Sequence, residues 1–139
     1  MRSQNLQIIN MFTETKKYKN NDHFFFKKGE SLPEVSKDVP ELPGIFYVIR
    51  LARGGIDLVY ISRSGMLSQT LRDKINITPY QFSQQDFFDS KMSVDNIDAL
   101  DIYWFVTIDT KHNDLPEYVE GLLMQRHYEI YGNLPLWNR

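Results

Sequence analysis

The sequence predicts an α+β domain in which a small, mostly antiparallel sheet of about three core strands is flanked by helices. Gly44–Leu51 and Asp57–Ile61 are both rich in β-branched and aromatic residues, as strands are. The paired glycines 54 and 55 between them supply the positive φ angles that a tight hairpin needs. Leu100–Ile108 has the continuous apolar pattern of a third, central strand. A chain ordered hairpin, helix, strand, helix is typical of this class.

Two segments have the residue spacing of amphipathic helices. Leu67, Leu71 and Ile75 recur every four residues after the second strand. A longer helix is predicted to begin at Pro116, which suits a first turn, and to end at Gly132. The face predicted to be buried has residues at helical spacing: Val119, Leu122, Leu123, Arg126 and Ile130.

The chain length of 139 residues fits one domain with a sizeable core. Residues 1–39 are predicted to form an N-terminal extension packed on a core domain of residues 40–139. Pro33, Pro40 and Pro43 mark residues 29–43 as an extended connector. Within the extension, Asp22–Lys28 is a short β-prone segment.

Composition excludes several classes of site and location. The sequence has no cysteine, which excludes a disulfide scaffold, a thiol nucleophile and a thiolate zinc site. No apolar stretch approaches the roughly 18 residues of a membrane span, and residues 1–5 lack the apolar segment of a signal peptide. We therefore expect a cytoplasmic protein that does not enter the membrane. The sequence leaves the oligomeric state open.

The charge is divided unevenly along the chain. Residues 1–74 carry 12 Lys and Arg against 8 Asp and Glu, whereas residues 75–139 carry 4 against 10. An anionic partner is therefore expected to prefer the first part of the chain. The net charge of −2 is nevertheless less basic than that of a typical nucleic-acid-binding module.

Five segments, taken in order, resemble a known family. Pro43–Tyr47 and Val59–Gly65 resemble the two signature strands of the GIY-YIG nuclease family. Leu71–Ile75 matches the following helix, on which that family has an arginine. Glu120–Met124 and Leu134–Asn138 match its glutamate-bearing helix and the proline, aromatic residue and asparagine that come next. The resemblance covers roughly residues 40–139.

This resemblance implies a metal-dependent endonuclease that hydrolyses DNA phosphodiester bonds with Mg²⁺ or Mn²⁺. It makes Glu120 the one protein ligand of the metal and Arg72 the residue that binds the scissile phosphate. It makes Tyr60 the residue that orients or deprotonates the attacking water, while Asn138 braces the site. A single carboxylate suits Mg²⁺, which retains several waters, and a guanidinium matches two phosphate oxygens at once.

The sequence departs from the family pattern at two signature positions. Phe46 replaces the first tyrosine, and Ser62 replaces the glycine of the second strand. Tyr47 follows Phe46, but neighbours along a strand face opposite sides unless a bulge intervenes.

Some assignments on the last helix have alternatives. Glu117 or Gln125 would align in place of Glu120 if the helix is shifted along the motif. His127 lies two turns beyond Glu120 and is either a supporting partner of that carboxylate or an ordinary surface histidine.

Two other functions are compatible with the sequence. A catalytically degenerate GIY-YIG-like domain would bind nucleic acid or a protein partner without cleaving, consistent with Phe46, Ser62 and the negative net charge. A small-molecule enzyme that shares only the topology would have a deep apolar pocket away from Glu120.

Overall fold

The computed structural model describes residues 12–52, 55–65 and 69–139. Within these residues the chain forms one four-stranded antiparallel sheet and four α-helices, which confirms the predicted α+β class. The strands are β1 Asn21–Lys27, β2 Gly44–Ala52, β3 Gly55–Arg63 and β4 Ala99–Val106. The helices are α1 Leu32–Val35, α2 Leu71–Asn76, α3 Gln84–Asp95 and α4 Pro116–Tyr131, with 3₁₀ turns at Thr13–Thr15 and Leu136–Asn138. No helix in the described ranges has the length and apolar character that crossing a bilayer requires.

The strands lie in the order β1-β4-β2-β3. β2 and β3 form the predicted hairpin, whose tip at residues 53 and 54 lies outside the described residues. β4 pairs with β2 on one side and with β1 on the other, so it is the central strand that its apolar pattern predicts. The sheet has four strands rather than about three because Asn21–Lys27, assigned to the N-terminal extension, pairs along the whole of β4.

The two faces of the sheet bury separate apolar clusters. One face is covered by α1, α2, α3 and the C-terminal 3₁₀ turn, and the other by α4 and the N-terminal 3₁₀ turn. The first cluster includes Phe26, Leu32, Phe46, Val48, Tyr60, Leu71, Ile75, Phe88, Met92, Ile102 and Trp137. The second includes Phe12, Tyr18, Ile45, Tyr47, Ile49, Ile61, Phe105, Val119 and Leu123.

The bounds of α2 and of the connector differ from the prediction. α2 begins at Leu71, where the Asp73 carboxylate accepts a hydrogen bond from the Thr70 backbone N–H at 3.3 Å and holds the first turn. Leu67, which was predicted to precede it on the same helix, lies outside the described residues. The connector is not wholly extended, because it contains the single turn α1 with Pro33 in its first turn, where proline costs no hydrogen bond.

Helix α4 has the predicted bounds, and Gly132 ends it with a φ of +78°. Its buried face differs in the last turns. Ile130 is exposed, and Arg126 donates to the Glu14 carboxylate at 2.7 Å. His127 is buried in their place because its ring binds the chain that follows the helix.

Candidate functional site

The two signature strands place their aromatic residues on opposite faces of the sheet. Phe46 is fully buried on the α3 side, with its ring 6.2 Å from that of Tyr60. Tyr47 lies on the α4 side and stacks on Tyr103 at 5.3 Å. The register shift in the hairpin falls beyond Val48, so it does not bring Tyr47 to the face of Tyr60. The Tyr47 hydroxyl therefore does not replace the one that the family resemblance implies at position 46.

Tyr60 is largely buried beneath α3. Its ring lies 5.6 Å from that of Phe87 and 6.4 Å from that of Phe88. Burial raises the pKa of the Tyr60 hydroxyl above its ordinary value of 10.0. The hydroxyl is therefore protonated at neutral pH, and in that state it donates or accepts hydrogen bonds but does not act as a base.

Asn138 binds the outer edge of β3. Its side-chain oxygen accepts a hydrogen bond from the Ile61 N–H, and its side-chain nitrogen donates to the Ile61 carbonyl, both at 2.9 Å. Because β3 is an edge strand, these bonds satisfy backbone groups that no neighbouring strand pairs with. Asn138 thus fixes the strand between Tyr60 and Ser62.

Glu120 faces a polar cleft beside this edge. The cleft, called here the Glu120 cleft, has a volume of about 360 Å³ and lies between the end of β3, α2, α4 and the loop before α3. Two of its side chains carry a positive charge. Its lining residues are Ser62, Arg63, Gln69, Lys74, Ile77, Pro79, Gln81 and Glu120.

Burial and a neighbouring positive charge act in opposite directions on the pKa of the Glu120 carboxylate. Its side chain is 25% exposed, and one oxygen lies 3.4 Å from the Arg63 Nε. The same guanidinium lies 3.1 Å from the Glu117 carboxylate. Burial raises the pKa of Glu120 above its ordinary 4.5, and the charge of Arg63 limits that rise. Glu117 and Glu120 thus both contact the Arg63 guanidinium. Gln125, on the same helix, is exposed.

The structure directs Arg72 away from Glu120. Its Nε donates to the Val39 carbonyl and its Nη1 to the Glu41 carboxylate, both at 2.8 Å, so it ties α2 to the connector. Lys74, two residues later, lines the Glu120 cleft instead. Residues two apart on a helix do not share a face, which explains why only one of the two cations reaches the cleft.

His127 does not contact the Glu120 cleft. Its Nδ1 donates to the Asn133 carbonyl at 2.7 Å, and burial lowers its pKa below the ordinary 6.5. Seven residues along a helix separate it from Glu120 by roughly 10 Å. It is a buried residue that fixes the end of α4 rather than an ordinary surface histidine.

Sequence reasoning did not assign a role to Arg63 or Lys74. Arg63 directly follows Ser62 and lies at the end of β3, where strand alternation turns its side chain to the same side as Ile61, toward α4. The sequence feature that could have indicated a role for Arg63 is its place as the last residue of β3, the second strand of the resemblance. Lys74 had none beyond its charge.

The chemistry of the donors is compatible with a hydrated divalent cation. Within the described ranges, no three His, Asp or Glu side chains lie together as a metal cage. A single half-buried carboxylate in a polar cleft nevertheless fits Mg²⁺, which keeps water and takes substrate oxygens as further ligands.

In comparisons with known proteins, no protein-family model, curated protein sequence or solved structure matches this chain. The GIY-YIG assignment therefore continues to depend on the motifs and their order.

Proposed function

We propose that this chain has a GIY-YIG-like fold and is a divalent-metal-dependent endonuclease that hydrolyses DNA phosphodiester bonds in the Glu120 cleft. The observation that carries the proposal is the juxtaposition of the half-buried Glu120 carboxylate with Arg63 and Lys74 in one polar cleft. A carboxylate that could hold a metal and cations that could hold a phosphate are two elements that metal-dependent phosphodiester hydrolysis uses.

In this proposal Glu120 would hold Mg²⁺ or Mn²⁺, and the metal would acidify a water and neutralise charge on phosphate oxygens. Arg63 and Lys74 bind the phosphate and stabilise its growing negative charge. Both cations belong to the first 74 residues, in which positive charge is in excess. Tyr60, whose hydroxyl is protonated at neutral pH, would orient a water by hydrogen bonding, and Asn138 holds the strand that carries it.

A second candidate is a domain that binds nucleic acid without cutting it. Two observations favour it: position 46 is a fully buried phenylalanine, and the Arg72 guanidinium is engaged by Val39 and Glu41. The hydroxyl that the resemblance implies at position 46 is therefore missing, and the guanidinium to which it assigns phosphate binding is already hydrogen-bonded. The two candidates differ in whether the protein cleaves DNA in a reaction that requires the metal and Glu120.

Cleavage of supercoiled plasmid and of branched DNA tests the proposal. We expect wild-type protein to nick with Mg²⁺ or Mn²⁺ and not with a chelator, and Glu120→Ala to lose the activity. Glu129→Ala, which removes an exposed carboxylate from the same helix, is the matched control and is expected to cut like wild type. Wild-type protein that is folded, binds DNA and does not cut it with either metal would instead establish the second candidate.

A further inference from the structure

A second depression lies beside the Glu120 cleft, and five of its thirteen lining residues are aromatic. This aromatic groove, of about 620 Å³, runs between α3, the loop before it and the C-terminal 3₁₀ turn. Its rings belong to Tyr60, Tyr80, Phe82, Phe87 and Trp137. The volume is in the range of pockets that hold small organic groups.

The loop before α3 holds two of these rings toward solvent. Tyr80 is 81% exposed and Phe82 is 71% exposed. The loop is closed by hydrogen bonds from the Thr78 N–H to the Phe82 carbonyl at 2.8 Å and from the Gln81 N–H to the Thr78 carbonyl at 2.9 Å. Gln81, between the two rings, has a φ of +68°, which a residue with a side chain seldom adopts. The chain thus holds two large rings out of the core, where burial would have stabilised them.

The groove also carries two positive charges, on Lys91 and Arg139, against one carboxylate, that of Asp86. The Lys91 ammonium lies over the Phe87 ring, 5.6 Å from its centroid. Arg139 lines the same groove and is oriented by a hydrogen bond from its Nε to the Leu134 carbonyl at 2.9 Å. Cations among exposed rings fit a ligand that is both aromatic and anionic.

The groove and the Glu120 cleft adjoin one another. Pro79 lines both depressions, and Tyr60, which lines the groove, is two residues from Ser62, which lines the cleft. This is not the isolated apolar pocket, away from Glu120, that a small-molecule enzyme would have. A ligand with a phosphate in the cleft would extend its next group into the groove.

We propose that the aromatic groove binds unpaired nucleobases, so that the chain takes single-stranded DNA or the unpaired arm of branched DNA. The bases stack on Tyr80 and Phe82, and Lys91 and Arg139 contact the backbone phosphates. Stacking of this kind accepts any base, because every base has a π face. The inference names the substrate of the proposed nuclease and rests on that function, but the binding itself requires neither metal nor cleavage.

Fluorescence anisotropy with a labelled twelve-residue oligothymidylate, in a chelator so that nothing is cut, tests this inference. We expect Tyr80→Ala combined with Phe82→Ala to weaken binding by about tenfold or more. Tyr118→Ala combined with Tyr128→Ala removes two exposed rings outside the groove and is expected to leave the affinity unchanged. Thermal unfolding of each variant checks that the fold is intact.

The outcomes separate this inference from the proposed function. Equal affinity of wild type and the groove variant, equal loss in both double variants, or no binding by wild type would each overturn the inference. Cleavage of duplex plasmid without oligothymidylate binding would overturn it and leave the nuclease intact. Oligothymidylate binding that depends on Tyr80 and Phe82, without cleavage of any DNA, would support the inference while the nuclease fails.

Discussion

At the residue scale, the structure bears most on which cation would bind a phosphate in the proposed function. The family resemblance gives this role to Arg72, whose guanidinium binds Val39 and Glu41 at the connector. Arg63 lies instead within 3.4 Å of Glu120, and Lys74 lines the same cleft. An arginine therefore lies beside Glu120, but at a different position in the sequence.

Substitution of the two arginines separates these assignments. We expect Arg63→Ala to reduce the cleavage rate by about 10²–10³-fold, the effect of removing one preorganised donor to a developing negative charge. Arg72→Ala is expected to leave the rate close to that of wild type, since it removes only a half-exposed contact with the connector. Initial rates of plasmid nicking by both proteins check this. Loss of cleavage in Arg72→Ala alone would return the role to Arg72.

At the scale of elements, the strands and the last helix follow from local pattern, whereas the loops of the site do not. The apolar run of β4 predicts a central strand, and Pro116 and Gly132 fix the ends of α4. Phe82 is exposed and precedes α3, because Ser83 caps that helix one residue later. Aromatic residues in a loop give no period from which their exposure could be predicted.

The glycines of β2 and α4 differ in how much space surrounds them. A Cβ at Gly44 would collide with the Phe105 carbonyl oxygen and lie 2.7 Å from the Leu71 Cδ1, so β2 can approach β4 and α2 only without a side chain there. Gly121, on α4, has open space around it.

The matched pair of glycine substitutions tests this packing. We expect Gly44→Ala to lower the free energy of unfolding by about 1–3 kcal/mol, the cost of overpacking. Gly121→Ala is expected to raise it by roughly 0.5–1 kcal/mol, because alanine is the better helix former. Urea denaturation of both variants measures the difference. A Gly44→Ala protein as stable as wild type would show that β2 and β4 do not approach so closely.

At the scale of the whole molecule, the N-terminal segment belongs to the same sheet as the signature strands. β1 pairs along β4, and Phe26 is fully buried among residues of the first apolar cluster. On the other face, the Tyr18 hydroxyl donates to the Asp114 carboxylate at 2.6 Å. Sequence patterns identified a β-prone segment here but not its partner, because pairing between residues about 80 apart leaves no local signal.

Substitution within β1 tests whether this segment is part of one cooperative unit. Phe26→Ala is expected to lower the free energy of unfolding by about 3–5 kcal/mol, the cost of truncating a buried ring. Phe25→Ala, at the half-exposed neighbouring position, is expected to cost under about 1 kcal/mol. Urea denaturation followed by circular dichroism compares them. Equal, small costs would indicate an extension that the core domain does not need.

The proposed function places phosphodiester hydrolysis in the Glu120 cleft. The most direct test is the single-turnover rate constant for cleavage of a labelled DNA junction with Mg²⁺, measured for wild type and for Glu120→Gln, which keeps the size of the side chain and removes its charge. We predict cleavage by wild type and a loss of about 10²-fold or more in the variant. Folded wild-type protein that leaves the junction uncut, or a Glu120→Gln variant that cuts it equally fast, would contradict the claim.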